Sequence, residues 1–334
     1  MQVPSKLKVG DEVRVLALSR TLGAVLRQAG LTEADVAFAS SRLESMGPRV
    51  SFGQHVWECD EHLTTSPAHR LADLHEAVAT PSVKAILAVT GGMGATQILD
   101  GIDYQELKLH PKIICGYSDV AHVCNAVLAR AGVVTYYGPN FTSFMMRQGA
   151  EYTVEAFRRC LFEDSPLELR PADKWSDDAW AKDQERRTFH GAEGFWGIQD
   201  GEAEGTIIGG SYFCLNMLQG TRFFPSLQEA ILFVEHPANG KATLMELDGA
   251  LRSLSFLPDF PQVRGLVIGR YARSAGVTRE KLVALLEGLP ALRRLPVIAN
   301  CDFGHTTPVL TLPIGGRCRL VVTQGNASIT VTEH

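Results

Sequence analysis

Cysteine is sparse in this 334-residue chain: there are seven, an odd number, widely spaced and without a C-x-x-C pair. That argues against a disulfide framework and a thiolate zinc site, and fits a reducing compartment. Positive charge is also in short supply, with 32 Lys and Arg against 37 Asp and Glu and a net charge of -5. Without a basic face, no nucleic-acid partner is expected. No apolar run approaches the roughly 18–20 residues of a membrane span. The opening stretch, MQVPSKLKVGDEVRV, has no apolar core of a signal peptide, so the expectation is a cytoplasmic protein without membrane contact. His62, His69 and His75 fall in a helical region, but neither H-E-x-x-H nor similar spacing is present, and no metal is expected. The Gly91-Gly92-Met93-Gly94 turn lacks both G-x-G-x-x-G and the Walker pattern, and no cofactor is expected either.

What is present is a globular composition, 45% apolar and 21% charged, on a chain long enough for two domains. The first half alternates strand and helix signals. Strands are expected at Val13–Leu18, Val83–Val89, Lys112–Cys115 and Val133–Tyr137, and helices at Glu33–Met46, Pro67–Ala79 and Val120–Ala131. This order predicts an α/β fold with a mostly parallel sheet covered by helices on both faces. From about Leu167 to Glu204 the chain turns polar, with Trp175, Trp180 and Trp196 set among charges. Long irregular stretches of this kind are often lids or binding loops. The expected division is therefore an N-terminal α/β domain (1–165), a linker and substrate loop (166–204), and a C-terminal α/β domain (205–334). In the last, strands are expected at Gly205–Ile208, Ala230–Val234, Gly265–Ile268 and Val297–Ala299. Helices are expected at Tyr212–Leu218, Ala242–Leu254 and Arg279–Leu286, and short strands between Val309 and Val331.

Three residues at predicted strand ends could carry chemistry. Ser118 follows Gly116-Tyr117 where a strand turns sharply into a helix, which exposes a side chain at the sheet edge and aims helix amides at whatever it attacks. A serine alcohol needs a base within hydrogen-bond reach and amide donors for the developing oxyanion. Asp119 supplies one amide, and the Gly91-Gly92 turn a second. The nucleophile-elbow pattern is partial, since Val120 stands where its second glycine belongs, and a helix-capping serine fits the spacing equally well. His305 sits in a glycine-containing loop after the strand Val297–Ala299, a place for a base. Glu235 ends an apolar strand and, taken alone, reads as a residue leaving the core for solvent. Together the three keep the order serine, acid, histidine. Cys115 is a rival nucleophile, but its apolar strand points to a buried, inert thiol.

At these residues the chain resembles the LD-carboxypeptidase family of serine peptidases, and within it the microcin C self-immunity peptidases. The anchors are Thr90-Gly91-Gly92-Met93-Gly94, Gly116-Tyr117-Ser118-Asp119, Tyr137-Gly138-Pro139, Gly201-Glu202-Ala203-Glu204-Gly205, Gly209-Gly210, Phe233-Val234-Glu235 and Phe303-Gly304-His305. The resemblance implies a Ser118–Glu235–His305 triad and an oxyanion hole from the amides of Asp119 and Gly92. It implies an N-terminal flavodoxin-like domain with a parallel sheet, a C-terminal α/β domain with a mixed sheet, and a homodimer. It also implies a small substrate: a peptidyl-nucleotide cut beside its carboxy-terminal acidic residue, or a murein tetrapeptide that loses its terminal D-alanine. The tryptophan-bearing loop resembles the immunity branch, so Trp175 or Trp180 is expected to stack on a base; packing of the loop on its own domain is the plain alternative. Ser211, where the family often has Asn after the Gly-Gly pair, belongs to substrate binding. Lys241 either pairs with a substrate carboxylate or is a solvated surface lysine.

Overall fold

The alternation of apolar strands and amphipathic helices produces two large sheets, beside a small two-stranded one, in the computed structural model, which describes residues 1–236 and 243–334. The first half runs β1 (Glu12–Leu16), α1 (Leu22–Ala29), α2 (Glu33–Glu44), β2 (Arg49–Phe52), α3 (Pro67–Ala79) and β3 (Val83–Ala88). It continues through α4 (Tyr104–Leu109), β4 (Ile113–Gly116), α5 (Ala121–Ala131), β5 (Thr135–Tyr137) and α6 (Glu151–Phe162). The local chemistry explains these choices. Apart from Lys84, β3 is buried along its whole length, as a central parallel strand must be. Helix α3 starts where the Ser66 side chain accepts the His69 N–H and Pro67 fills the first turn. Helix α5 stops at Gly132, whose φ of 67° is the left-handed cap.

The second half contains β6 (Leu167–Leu169), β7 (Lys174–Trp175), β8 (His190–Gly191), β9 (Trp196–Gln199), β10 (Gly201–Ser211), α7 (Tyr212–Met217) and β11 (Ala230–Glu235). Then come α8 (Thr243–Ser255), β12 (Gly265–Gly269), α9 (Arg279–Glu287), β13 (Val297–Cys301), β14 (Leu312–Ile314), β15 (Arg317–Thr323) and β16 (Asn326–Glu333). The first sheet has the order β2-β1-β3-β4-β5-β14. Its five N-terminal strands are parallel in the 2-1-3-4-5 flavodoxin order. The sixth, β14, comes from the C-terminal half and runs antiparallel to β5, pairing Leu312 with Tyr137. The second sheet is mixed, β6-β16-β15-β10-β11-β12-β13-β9, with β10 to β13 parallel. Among the described residues no helix is long and apolar enough to cross a membrane.

Two differences from the sequence expectations have physical causes. The polar stretch 166–204 is not uniformly irregular: β6 and β9 form the two edges of the second sheet, where one strand flank faces solvent. Strand β10 also begins four residues before the expected Gly205. Its outward Glu202 and Glu204 look like loop residues in sequence, but they pair across the strands with Arg319 and Arg317.

Candidate active site

Residues from the carboxyl ends of β4 and β11 and from the loop after β13 meet. Strand β4 ends at Gly116, and Ser118 takes a φ of +64° before the chain enters α5. A side chain with positive φ is uncommon and carries local strain, which persists where the surroundings hold it. The Gly91 turn is pressed against it: a Cβ added at Gly91 would lie 2.7 Å from Ser118 Cβ and 3.4 Å from the Asp119 backbone nitrogen. Only glycine lets the turn come so close. The Asp119 carboxylate fastens this turn, accepting from the Gly94 and Ala95 N–H groups at 2.8 and 2.9 Å and from Ser19 Oγ at 2.5 Å. Burial opposes its ionisation, but hydrogen bonds from His122, Ser19 and Ala95 outweigh that and hold the carboxyl below its usual range.

The structure brings Ser118, His305 and Glu235 together. His305 Nε2 lies 3.0 Å from Ser118 Oγ, and His305 Nδ1 lies 2.8 Å from Glu235 Oε2. Glu235 is only 1% exposed, so it does not leave for solvent as its position after four apolar residues suggested in isolation. Two features make this burial possible. The Tyr137 hydroxyl donates to Glu235 Oε1, and Gly304, with φ +108°, leaves the space that the carboxylate fills; a Cβ there would meet Oε2 at 2.4 Å. The same Tyr137 oxygen accepts the Ser118 N–H at 3.0 Å, so one hydroxyl ties the serine backbone to the acid. Burial and the facing Glu235 push the Tyr137 phenol well above its ordinary range, which keeps it a donor. Tyr117 meets the His305 ring edge-on at 5.3 Å, and burial with Glu235 nearby pushes its phenol up to about 12. A hydroxyl bonded to an imidazole that is bonded in turn to a buried carboxylate can generate an alkoxide-like nucleophile at neutral pH.

The remaining predicted residues separate. Ser211, buried at the end of β10, lines a cavity of about 250 Å³ that reaches Ser118 and includes Gly92, Phe213, Met217 and His236. Trp180 lines a cavity of about 450 Å³ that contains His305, Arg20 and Thr90. Trp175 instead faces a cavity of about 540 Å³ with Trp196 and Arg270, and the Arg270 guanidinium stacks 5.0 Å from its ring. Lys241 lies outside the described residues. Cys115 is buried, and burial raises its thiol well above the usual range, as expected of an inert cysteine. Asp119, His122 and Cys214 bring three potential ligand atoms within 4.8 Å of one another. The Asp119 carboxylate is already engaged by the bonds above, and burial pushes the Cys214 thiol up. Sequence reasoning missed two residues. Tyr137 was visible only as a motif anchor. His236, adjacent to Glu235, presents a buried Nδ1 with no partner among the described residues and stacks on Tyr212 at 4.7 Å; burial lowers its pKa.

Comparison with known proteins matches residues 13–138 to the LD-carboxypeptidase N-terminal domain and residues 204–320 to the LD-carboxypeptidase C-terminal domain. YocD of Bacillus subtilis (strain 168), whose carboxypeptidase name is itself an inference, is 41% identical over 330 residues, 99% of each chain. The crystal structure of an MccF-like protein from Bacillus anthracis str. Ames is 41% identical and superposes with a TM-score of 0.96 over 100% of both chains. The microcin C7 self-immunity protein MccF of Escherichia coli is 27% identical over 304 residues, 87% of this chain and 86% of MccF. MccF has been solved in complex with aspartyl sulfamoyl adenosine, and that structure superposes with a TM-score of 0.86 at 24% identity, over 99% of this chain and 98% of MccF.

Proposed function

This chain belongs to the LD-carboxypeptidase family, and on that premise we propose that it is a serine carboxypeptidase with Ser118 as nucleophile, His305 as general base and Glu235 as the residue that orients the histidine. The observation that carries this reading is the continuous hydrogen-bond chain Ser118 Oγ–His305–Glu235, at 3.0 and 2.8 Å. Ser118 Oγ attacks the scissile carbonyl while His305 Nε2 takes its proton. The amides of Asp119 and Gly92 receive the oxyanion of the tetrahedral intermediate. Collapse returns the proton from His305 to the leaving nitrogen and leaves the acyl group on Ser118. Water, deprotonated by the same imidazole, then releases the acid and restores the serine. The nucleophile belongs to the N-terminal domain (1–165), the acid and base to the C-terminal domain (205–334), and residues 166–204 form the linker and substrate loop of a cytoplasmic homodimer.

For the substrate, we favour a peptidyl-nucleotide cut at the amide between a carboxy-terminal aspartate or glutamate and a nucleotide-like group. Trp180 supports this, because it lines the cavity that contains His305 and offers an aromatic face to a base. Ser211 lines the other cavity, which reaches Ser118, and would face the acyl portion. Side-by-side hydrolysis of an aspartyl-adenylate amide analogue and a murein tetrapeptide tests the choice. Preference for the adenylate is expected. Preference for the tetrapeptide would assign the protein to cell-wall recycling instead.

A further inference from the structure

Around the first turn of α3, three possible metal ligands converge. His55, Glu58 and His69 each offer one ligand atom, and these atoms lie within 4.8 Å of one another. We propose that His55, Glu58 and His69 form a binding site for a divalent transition metal ion, zinc above all. No short motif spacing announces it, because two ligands come from the loop before α3 and the third from its first turn.

The strongest support is the carboxylate behind His55. Asp73 is 5% exposed, and its Oδ1 lies 2.7 Å from His55 Nδ1 while Oδ2 accepts the His55 backbone N–H at 3.0 Å. A carboxylate bonded to Nδ1 fixes that nitrogen as the protonated one and leaves Nε2 with its lone pair. This is the outer-sphere arrangement by which proteins orient metal-binding histidines and raise their basicity. His69 lies over it with ring centroids 4.1 Å apart. Its Nδ1 is 2.8 Å from Glu58 Oε2, and Thr65 also donates to that carboxylate. His69 and Glu58 have side chains 47% and 43% exposed, so both are free to turn toward an ion held by the fixed His55. Two imidazoles and one carboxylate are a borderline-soft donor set suited to zinc, with a fourth position left for water.

An ion here would also touch the candidate active site through the chain. His69 is followed by Arg70, which is 1% exposed and donates from Nη1 to the Gly94 carbonyl at 2.9 Å and from Nη2 to Gln97. Gly94 closes the turn that presses on Ser118. Fixing His69 therefore braces the base of the oxyanion turn.

Titration of zinc chloride into the chelator-treated full-length protein, followed by calorimetry, tests the site without reference to hydrolysis. About one zinc per chain is expected. His55→Asn and His69→Asn should each weaken binding by about tenfold or more, the double variant should abolish it, and Asp73→Asn should weaken it about ten- to a hundredfold. His69→Asn alters a half-exposed side chain, so its effect reads the site and not the fold; melting curves without metal check this. Zinc should raise the melting temperature of the wild type but not of the double variant. Cys59→Ser should bind normally, and cobalt should give no thiolate charge-transfer band. Absence of binding, binding that survives the double variant, or dependence on Cys59 would each overturn the proposal.

Discussion

Replacing Tyr137 with Phe removes one oxygen and leaves the buried ring in place. That oxygen accepts the Ser118 N–H at 3.0 Å and donates to the Glu235 carboxylate. Without it, the Glu235 side chain keeps His305 alone as a hydrogen-bond partner among the described residues while remaining 1% exposed. The Ser118 backbone, held at positive φ, loses one of its restraints. A hydrogen bond to a buried charged group is worth about 1.5–3 kcal/mol. If that stabilisation holds the acid and serine in their reactive positions, kcat/KM should fall about ten- to a hundredfold, mostly through kcat. The assay is hydrolysis of an aspartyl-adenylate amide analogue, with circular dichroism and melting curves to confirm the fold. A Tyr137→Phe enzyme within about twofold of wild type would refute the reasoning, because the hydroxyl would then position neither residue.

Three further outcomes are expected. Activity should fall at acid pH, because a protonated His305 cannot accept the serine proton, and Glu235→Gln should slow turnover without unfolding the chain; a flat acid limb in the kcat/KM profile would contradict the first and an unaffected Glu235→Gln enzyme the second. Trp180→Ala should weaken adenylate binding about ten- to a hundredfold, since stacking on a base is worth about 1–3 kcal/mol, while Trp175→Ala should do much less; equal effects would remove Trp180 from the base site. Burial raises the Glu12 carboxyl, but hydrogen bonds from Ser51, Arg14 and Ser82 outweigh that and bring it from 4.5 to about 2. Its folded pKa is depressed, so its stabilisation is present above the unfolded value and drains away as pH falls from about 4.5 toward 2. Chemical denaturation over that window should show a flatter pH dependence for Glu12→Gln, and identical slopes would show that Glu12 has no such linkage.

The parallel core was legible because its strands are short apolar runs that lead into glycine turns, as Val83–Ala88 leads to Gly91-Gly92, and because α3 starts with Ser66-Pro67. The position of Ser118 followed from the same punctuation. Other elements gave weaker signals or went unread. Helix α6 buries Thr153, Ala156, Phe157, Cys160 and Leu161, a clear helical stripe that was there to be read. Helix α1 has only eight residues and β2 is a four-residue edge strand, too short for periodicity to stand out. Strand β14 falls within the expected short strands of the tail, but its pairing with β5, a contact between residues far apart in the chain, could not be foreseen. Within the site, Ser118, Glu235 and His305 could be picked out in order as candidates that the fold brings together, but Tyr137 and Gly304 act through space alone: one hydroxyl and one missing side chain create the pocket that keeps Glu235 buried. The His55–Glu58–His69 group was hidden for the same reason.

The proposed nucleophile is tested most directly by comparing Ser118→Ala with Cys115→Ala in the hydrolysis of the aspartyl-adenylate amide analogue and a murein tetrapeptide, each variant first shown to fold by circular dichroism. Ser118→Ala is expected to lose activity by about a thousandfold or more on whichever substrate the wild type cleaves, with Cys115→Ala close to wild type. A folded Ser118→Ala enzyme that still turns over, or activity lost through Cys115→Ala, would contradict it.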